Sequence, residues 1–318
     1  MISVVVPALN EERGVRELYA RVTAAAAQWP DPNLELILVD DGSTDRTLAI
    51  CREMAASDAR FKIVSLTRNF GHQPAVTAGI QHALGDVVVV MDADLQDPPE
   101  AVGQFIAKLG EGFDVVYAVR TKRKENLAKR TLYFLYYRLL RKLAALDIPL
   151  DSGDFCVMRG VVARAISDLP ERNRFVRGLR TWVGYRQAGI AYEREARFAG
   201  APKYTFSGLV KLGLDGIINF SYRPLHFAML LGFSVGAGGF LFGLLVVAQY
   251  IGDWTIWGFN PRQARGWTSL MFVLLFSSAT QLVCVGILSE YVGRLFEETK
   301  RRPIYLVRER INIDSPHT

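Results

Sequence analysis

Short apolar runs, each broken off by acidic, hydroxyl or glycine residues, alternate with longer amphipathic stretches through the first 120 positions. The runs are Ile2–Val6, Leu34–Val39, Phe61–Leu66, Val87–Met91 and Asp114–Val119. Being short and nearly continuous, they read as strands, and the four Val and a Met of the fourth read as one buried on both faces at the centre of a parallel sheet. Helical signals fill the gaps: Leu18 and Val22 lie four apart, Pro74 begins one helix, and Pro98-Pro99 begin another. Ser43 or Thr44 is expected to cap the helix after the second run, with Gly42 making the turn. Strands and helices alternating about every 25 to 30 residues predict an α/β fold with a doubly wound, mostly parallel sheet.

In open sheets of this kind ligands lie beyond the carboxyl ends of the strands, so the polar residues ending each run are the candidate chemistry. The fourth run ends in Asp92, Asp94, Gln96 and Asp97. Carboxylates two residues apart with an amide oxygen nearby form a hard-oxygen set suited to Mg²⁺ or Mn²⁺ rather than zinc. Asp-x-Asp alone is common in acidic loops; here it caps a buried strand and precedes a helix start. The first run leads into Pro7 and Asn10-Glu11-Glu12, which could simply be a helix opening in acidic residues that suit its dipole. The second ends in Asp40-Asp41, which capping alone does not explain, and Arg120 closes the fifth. No G-x-G-x-x-G follows the first strand and no G-x-x-x-x-G-K-[ST] occurs, which excludes a dinucleotide fingerprint and a Walker loop.

The second half changes character. Leu225–Ile251 and Trp267–Val292 run without Lys or Arg, each long enough to cross hydrocarbon with some tilt, and predict two transmembrane helices. Trp254 and Trp257 would anchor the connection at an interface. Before the spans, Glu125–Leu146 mixes aromatic and basic residues, Arg130 among them, in a pattern suited either to the bilayer interface or to an ordinary amphipathic helix on the sheet. Leu209–Phe220 reads as a second interfacial helix. Arg294, Lys300, Arg301, Arg302, Arg308 and Arg310 follow the second span, so by the positive-inside rule the tail, and with two spans the amino-terminal domain, are expected in the cytoplasm. The chain is thus expected to be an integral inner or plasma membrane protein. Glu290 should pair with Arg294, four residues on. Gly232, Gly236, Gly239 and Gly243 make one smooth face on the first span, open either to the second span or to another subunit in a homo-oligomer.

Composition agrees. Of 318 residues, 50% are hydrophobic, high for a soluble enzyme, and the net charge of +6 goes with a membrane surface rather than nucleic acid. Three scattered cysteines and four dispersed histidines exclude a disulfide frame and a His- or Cys-based zinc site. No basic n-region precedes the first strand, so no signal peptide is expected. Four segments result: 1–124, an α/β core carrying the polar strand ends; 125–224, a second part with interfacial helices; 225–293, the two spans; and 294–318, a basic tail.

Taken together, Val-Pro-Ala-Leu-Asn-Glu-Glu at 6–12, Val-Asp-Asp-Gly-Ser-Thr-Asp at 39–45 and Met-Asp-Ala-Asp-Leu-Gln-Asp-Pro at 91–98 resemble family 2 glycosyltransferases of GT-A fold. Downstream, Asp151-Ser-Gly-Asp154-Phe155, the stretch Asn173–Leu179, Pro202-Lys203-Tyr204 and Asp215–Ser221 are similar to the polyisoprenyl-phosphate glycosyltransferases, the bactoprenol glucosyl transferases in particular. Ala201-Pro202 stands where related enzymes often carry Ser before the Lys-Tyr pair. The resemblance implies that Pro7, Asn10, Glu12, Asp40 and Asp41 surround a nucleotide's base and ribose, and that Asp92 lies near ribose and metal. Asp94 and Gln96 would hold Mg²⁺ or Mn²⁺ on the diphosphate. Arg120 would stand near phosphate and Asp154 at the sugar-reacting centre. Arg130 and Lys203 are further candidates for the acceptor phosphate.

The activity implied is inverting, metal-dependent transfer of a sugar, glucose from UDP-glucose, to a polyprenyl phosphate such as undecaprenyl phosphate. Alternatives are a mannose synthase using GDP-mannose, a processive polysaccharide synthase, whose Gln-x-x-Arg-Trp signature is absent, and a non-catalytic membrane scaffold.

Overall fold

All five apolar runs form strands: β1 (Ile2–Ala8), β2 (Leu34–Asp40), β3 (Phe61–Leu66), β4 (Val87–Val90) and β5 (Val115–Arg120). Between them lie α1 (Val15–Ala26), α2 (Thr47–Ser57), α3 (His72–His82) and, after a 3-10 turn at Pro99–Ala101, α4 (Val102–Gly110). The computed structural model describes residues 1–120, 152–172, 174–192, 223–253 and 266–313. They fall into two units, one holding the described residues up to 216 and from 301 onward, the other those from 217 to 300. The helices expected at 125–146 and 209–220, together with Arg130 and Lys203, lie outside the described residues.

In the first unit the chain continues through β6 (Ser152–Arg159), α5 (Gly160–Asp168), α6 (Val176–Trp182), β7 (Gln187–Tyr192) and β8 (Val307–Ile311). The eight strands form one sheet in the order β7-β5-β6-β4-β1-β2-β3-β8. Parallel pairing joins β1 to β2 and β4, β2 to β3, and β5 to β7. Among the described residues only β6 and β8 run against the rest, so the sheet is mixed with a parallel centre. Every residue of β1 and β2 is buried, the two-sided burial that continuous apolar runs require. Each large aliphatic side chain so covered contributes about 1.5–3 kcal/mol.

Two local expectations are corrected. Helix α3 starts at His72, two residues before Pro74, because a proline is tolerated anywhere in a first turn whose N–H groups lack partners. Neither Ser43 nor Thr44 caps α2: its N-cap position is Arg46, without a side-chain cap, and Asp45 just before it accepts at Oδ1 from Thr47 N at 2.9 Å and Thr47 Oγ1 at 2.6 Å.

The basic segment expected as a tail contributes an edge strand, β8, set antiparallel on β3. Asn312 Nδ2 donates to the carbonyls of Ala55 at 2.7 Å and Phe61 at 2.9 Å, pinning this strand to the end of α2 and the start of β3. Arg308 reaches the carbonyl of Thr67 at 2.8 Å.

In the second unit both predicted spans are helical, α7 (Arg223–Gly252) and α8 (Trp267–Thr299). Among the described residues one segment, Leu225–Gln249, is long and apolar enough to cross a membrane by length and composition. Its side chains are widely exposed, Phe233 at 75% for example. The thiol of Cys284 in α8 donates to the carbonyl of Ala228 in α7 at 3.4 Å. Glu290 pairs with Arg294 at 3.0 Å, as the spacing predicts. A Cβ added at Gly232, Gly236, Gly239 or Gly243 would meet nothing within 4 Å, so the glycine face is not what joins α7 to α8.

Candidate active site

In the strand order β2 and β3 lie on one side of β1 and β4 on the other. The winding therefore reverses between β1 and β4, which opens a crevice at their carboxyl ends. Residues leaving β4 enter this crevice with alternating burial: Met91, Ala93, Leu95 and Asp97 are buried, while Asp92, Asp94 and Gln96 stay partly open. The alternation keeps two carboxylate side chains and one amide side chain partly exposed. Leu95 holds a left-handed backbone, φ 57°, a conformation costing about 1–3 kcal/mol that its burial helps to maintain. Gln96 N donates to Asp94 Oδ1 at 3.1 Å. Asp97, expected beside the other carboxylates, is instead buried and accepts from the Tyr192 hydroxyl at 2.6 Å, fastening the loop to β7.

Among the described residues no three His, Cys, Asp or Glu side chains converge as a ready-made metal cage. Mg²⁺ and Mn²⁺ at phosphate sites do not need one, since one or two carboxylates complete their shells with water and phosphate oxygens. The partly open pair Asp92 and Asp94, with Gln96, fits that chemistry.

The residues expected around a nucleotide form the opposite wall, and there the loops after β1 and β2 interlock. Asn10, with φ 54°, accepts at Oδ1 from Thr44 N at 2.8 Å and donates its own N–H to Ser43 Oγ at 3.0 Å. Glu12 Oε2 accepts from Arg46 N at 3.1 Å. Pro7 is buried within β1. Asp40, 1% exposed, accepts from Ser43 N and Ser65 Oγ, both at 3.0 Å. Asp41 clamps the next loop by accepting from the backbone N–H groups of Phe70 at 2.7 Å and Gly71 at 3.0 Å. Burial raises the Asp41 carboxyl above its ordinary value against the pull of those bonds. The loop passes so close that a Cβ at Gly42, φ 73°, would stand 2.5 Å from the Arg68 carbonyl carbon. Asp40, Asp41, Asn10 and Glu12 thus all shape the crevice wall.

Asp154 reaches the same crevice from β6. Antiparallel register pairs β4 with β6 as far as Val90 and Cys156, so Asp92, two residues after that pair, and Asp154, two residues before it, come out at the same edge of the sheet. Two cations hold Asp154. Arg177 of α6 donates Nε to Oδ1 at 2.7 Å and Nη2 to Oδ2 at 3.2 Å, a bidentate grip. His72, first residue of α3, sets Nε2 at 3.2 Å from Asp154 Oδ2 and 3.8 Å from Asp92 Oδ1. Gln73 joins the two helices, its Oε1 accepting from Val176 N at 2.7 Å. Arg180, buried and 4.9 Å from the Tyr117 ring centroid, fixes α6 against β5.

Burial alone would raise the Asp154 carboxyl, but Arg177 and His72 outweigh it and hold it well below the usual carboxylate range. Burial likewise opposes charge on His72, yet Asp154, and more weakly Asp92, raise its pKa to about 9. The carboxylate is therefore ionised and doubly paired at neutral pH, which makes it a poor proton acceptor.

His72 and Arg177 carry no role assigned from sequence, though Arg177 sits in the stretch Asn173–Leu179 noted there. Nothing in their spacing, 105 positions apart, announces that both reach Asp154. The backbone of Arg120 pairs with Tyr192 at the end of β5, on the same edge of the sheet as the crevice.

A mixed α/β sheet with a parallel centre and an Asp-x-Asp turn at a strand end is the arrangement of the GT-A fold. The family description "Glycosyl transferase family 2" matches residues 3–166. This chain belongs to glycosyltransferase family 2 and is a glycosyltransferase. It is 42% identical to an uncharacterised glycosyltransferase of Bacillus subtilis (strain 168), YkcC, over 98% of this chain and 95% of that protein. Identity is 38% to the uncharacterised glycosyltransferase sll0501 of Synechocystis sp., covering 97% of this chain and 95% of that one. It is also 38% to the bactoprenol glucosyl transferase of Shigella phage SfX, covering 97% and 99%.

Proposed function

We propose that the protein transfers glucose from UDP-glucose to a polyprenyl phosphate such as undecaprenyl phosphate, at the cytoplasmic face of the membrane and with inversion. The observation that carries this reading is the doubly paired Asp154 beside Asp92 in the crevice. A hydroxyl acceptor needs a general base at the reacting centre, whereas a phosphate monoester, with a second ionisation near about pH 6, arrives already ionised. A site whose central carboxylate is held by two cations suits the second nucleophile. Near full-length similarity to a bactoprenol glucosyl transferase supports a prenyl acceptor and a glucosyl group. The exposed apolar helix Leu225–Gln249 supports attachment to a membrane.

In this reading the acceptor oxygen forms a bond to the anomeric carbon as the bond from that carbon to the diphosphate breaks, its electron pair leaving with the diphosphate. No proton has to move. A divalent ion, held by Asp92, Asp94 and Gln96, would supply neutralisation of the leaving diphosphate. Asp154 orients the sugar and faces the positive charge that develops on its ring. Arg120, Arg130 and Lys203 are proposed as the cations that meet phosphate on the acceptor side. Direct displacement from an α-linked donor gives a β-linked lipid phosphosugar.

The test is a panel of radiolabelled nucleotide sugars, UDP-glucose and GDP-mannose included, incubated with the detergent-solubilised protein, undecaprenyl phosphate and Mg²⁺ or Mn²⁺. Label entering the lipid phase from UDP-glucose is expected. Label from GDP-mannose alone would transfer the assignment to a mannose synthase, and no lipid label from any donor would overturn the acceptor.

A further inference from the structure

Resting on the reading of a phosphate acceptor, we infer that Arg177 is a positioning residue whose work is to cancel the charge of Asp154, so that an anionic nucleophile can come within bonding distance of the sugar. Asp154 is only 11% exposed, while Arg177 and His72 keep 27% and 30% of their side-chain surface open. An anion entering the crevice therefore meets the cations before the carboxylate they cover. Without them, an ionised carboxylate would stand at the reacting centre and repel a phosphate dianion, and at this distance from bulk water the repulsion would be weakly screened.

Both grips on the pair are built. The bidentate contact at 2.7 and 3.2 Å fixes the guanidinium plane, and α6 is anchored at Gln73 through Val176 N and at Tyr117 through Arg180. A guanidinium keeps its charge at any working pH, so the neutralisation is permanent. Water is the competing nucleophile, and its demands are opposite. It is uncharged, and attack by its oxygen must release a proton to a base, which an unpaired Asp154 carboxylate could accept. Arg177 accordingly suppresses donor hydrolysis and favours transfer through one contact.

The experiment measures lipid-linked and free glucose from labelled UDP-glucose with undecaprenyl phosphate in the full-length protein, for wild type, Arg177→Gln, Arg177→Lys, Asp154→Asn and the Arg177→Gln/Asp154→Asn double variant. The acceptor KM should rise about tenfold or more in Arg177→Gln, with the ratio of lipid-linked to free sugar falling by a similar factor. Arg177→Lys should recover most of that ratio. In Asp154→Asn the acceptor KM should fall below wild type, since Arg177 is left uncompensated, and in the double variant it should return close to wild type.

An unchanged product ratio in a folded, UDP-binding Arg177→Gln would overturn the inference. So would an equal KM defect in the double variant, which would mean that Arg177 grips the acceptor phosphate directly. Should Arg177→Gln fail to fold, the Asp154→Asn arm decides alone, and an acceptor KM unchanged or raised there defeats the proposal. Absence of lipid product in wild type would instead remove the acceptor reading on which the inference rests.

Discussion

Asp154 and Asp94 are both acidic residues at one edge of the sheet, yet their surroundings assign them different work. Asp154 is covered and paired with two cations, so it cannot easily take up a proton; Asp94 is partly open, with one oxygen accepting from Gln96 N. Asp154→Asn keeps the shape of the carboxylate and is expected to retain measurable transfer, with a pH profile that follows acceptor phosphate ionisation near about pH 6. Complete loss of transfer with both substrates still bound, rescued at high pH, would mark Asp154 as a true general base. Asp94→Ala is expected to abolish transfer while thermal unfolding changes little, because a partly open ligand side chain carries little packing. Calorimetric binding of UDP with and without Mn²⁺ checks it: the variant should lose the metal-dependent part, and wild-type metal response would defeat the assignment.

At the scale of elements, the connections after β1, β2 and β3 hold one another through side chains. Asn10 and Ser43 join the first two, and Asp41 reaches from the second to the third, so that His72 starts α3 in a fixed place. A similar device lies at the other edge of the sheet, where Asp58 ends α2 and accepts from Arg60 Nη2 at 2.7 Å, Arg60 N at 2.9 Å and the Tyr19 hydroxyl. These bonds, the Arg60 side chain foremost, hold the Asp58 carboxyl well below its ordinary range, outweighing a smaller opposing effect of burial. A depressed folded pKa means stability that is present above the unfolded value of about 3.9 and lost as pH falls toward the folded one. Urea unfolding of the full-length protein should therefore weaken from pH 5 to pH 3, and Asp58→Asn should flatten that decline while lowering stability at pH 7. An identical acid limb in the variant would show that other carboxylates carry it.

For the whole molecule, the two stretches without Lys or Arg and the basic residues after them predict that the connection at 252–266 faces away from the cytoplasm. Thr255, which lies outside the described residues, offers a test. A single cysteine introduced there in a background with Cys51, Cys156 and Cys284 replaced should react with a membrane-impermeant thiol reagent on intact cells. Reaction only after lysis would reverse the topology. The return of the chain from α8 to form β8 on the edge of the catalytic sheet is the feature at this scale that composition concealed. A segment rich in arginine reads as solvated tail, and its strand character shows only when β3 presents unpaired backbone groups to receive it.

Local chemistry in the chain determined the five first strands, the helices between them and the acidic turn after β4, because two-sided burial and carboxylates at a strand end are properties of neighbouring residues. The same holds for the helical character of both apolar stretches and for the Glu290–Arg294 pair, spaced one helical turn apart. Asp154 was recognisable by resemblance, but its partners were not. His72 and Arg177 meet it only because β6 enters the sheet antiparallel beside β4 and two helices aim their first turns at one crevice. Asp97 likewise looked equivalent to Asp92 and Asp94 until the placement of β7 brought Tyr192 against it. Pairings between residues far apart in sequence depend on strand order and register, which are settled by how the layers pack rather than by any local pattern.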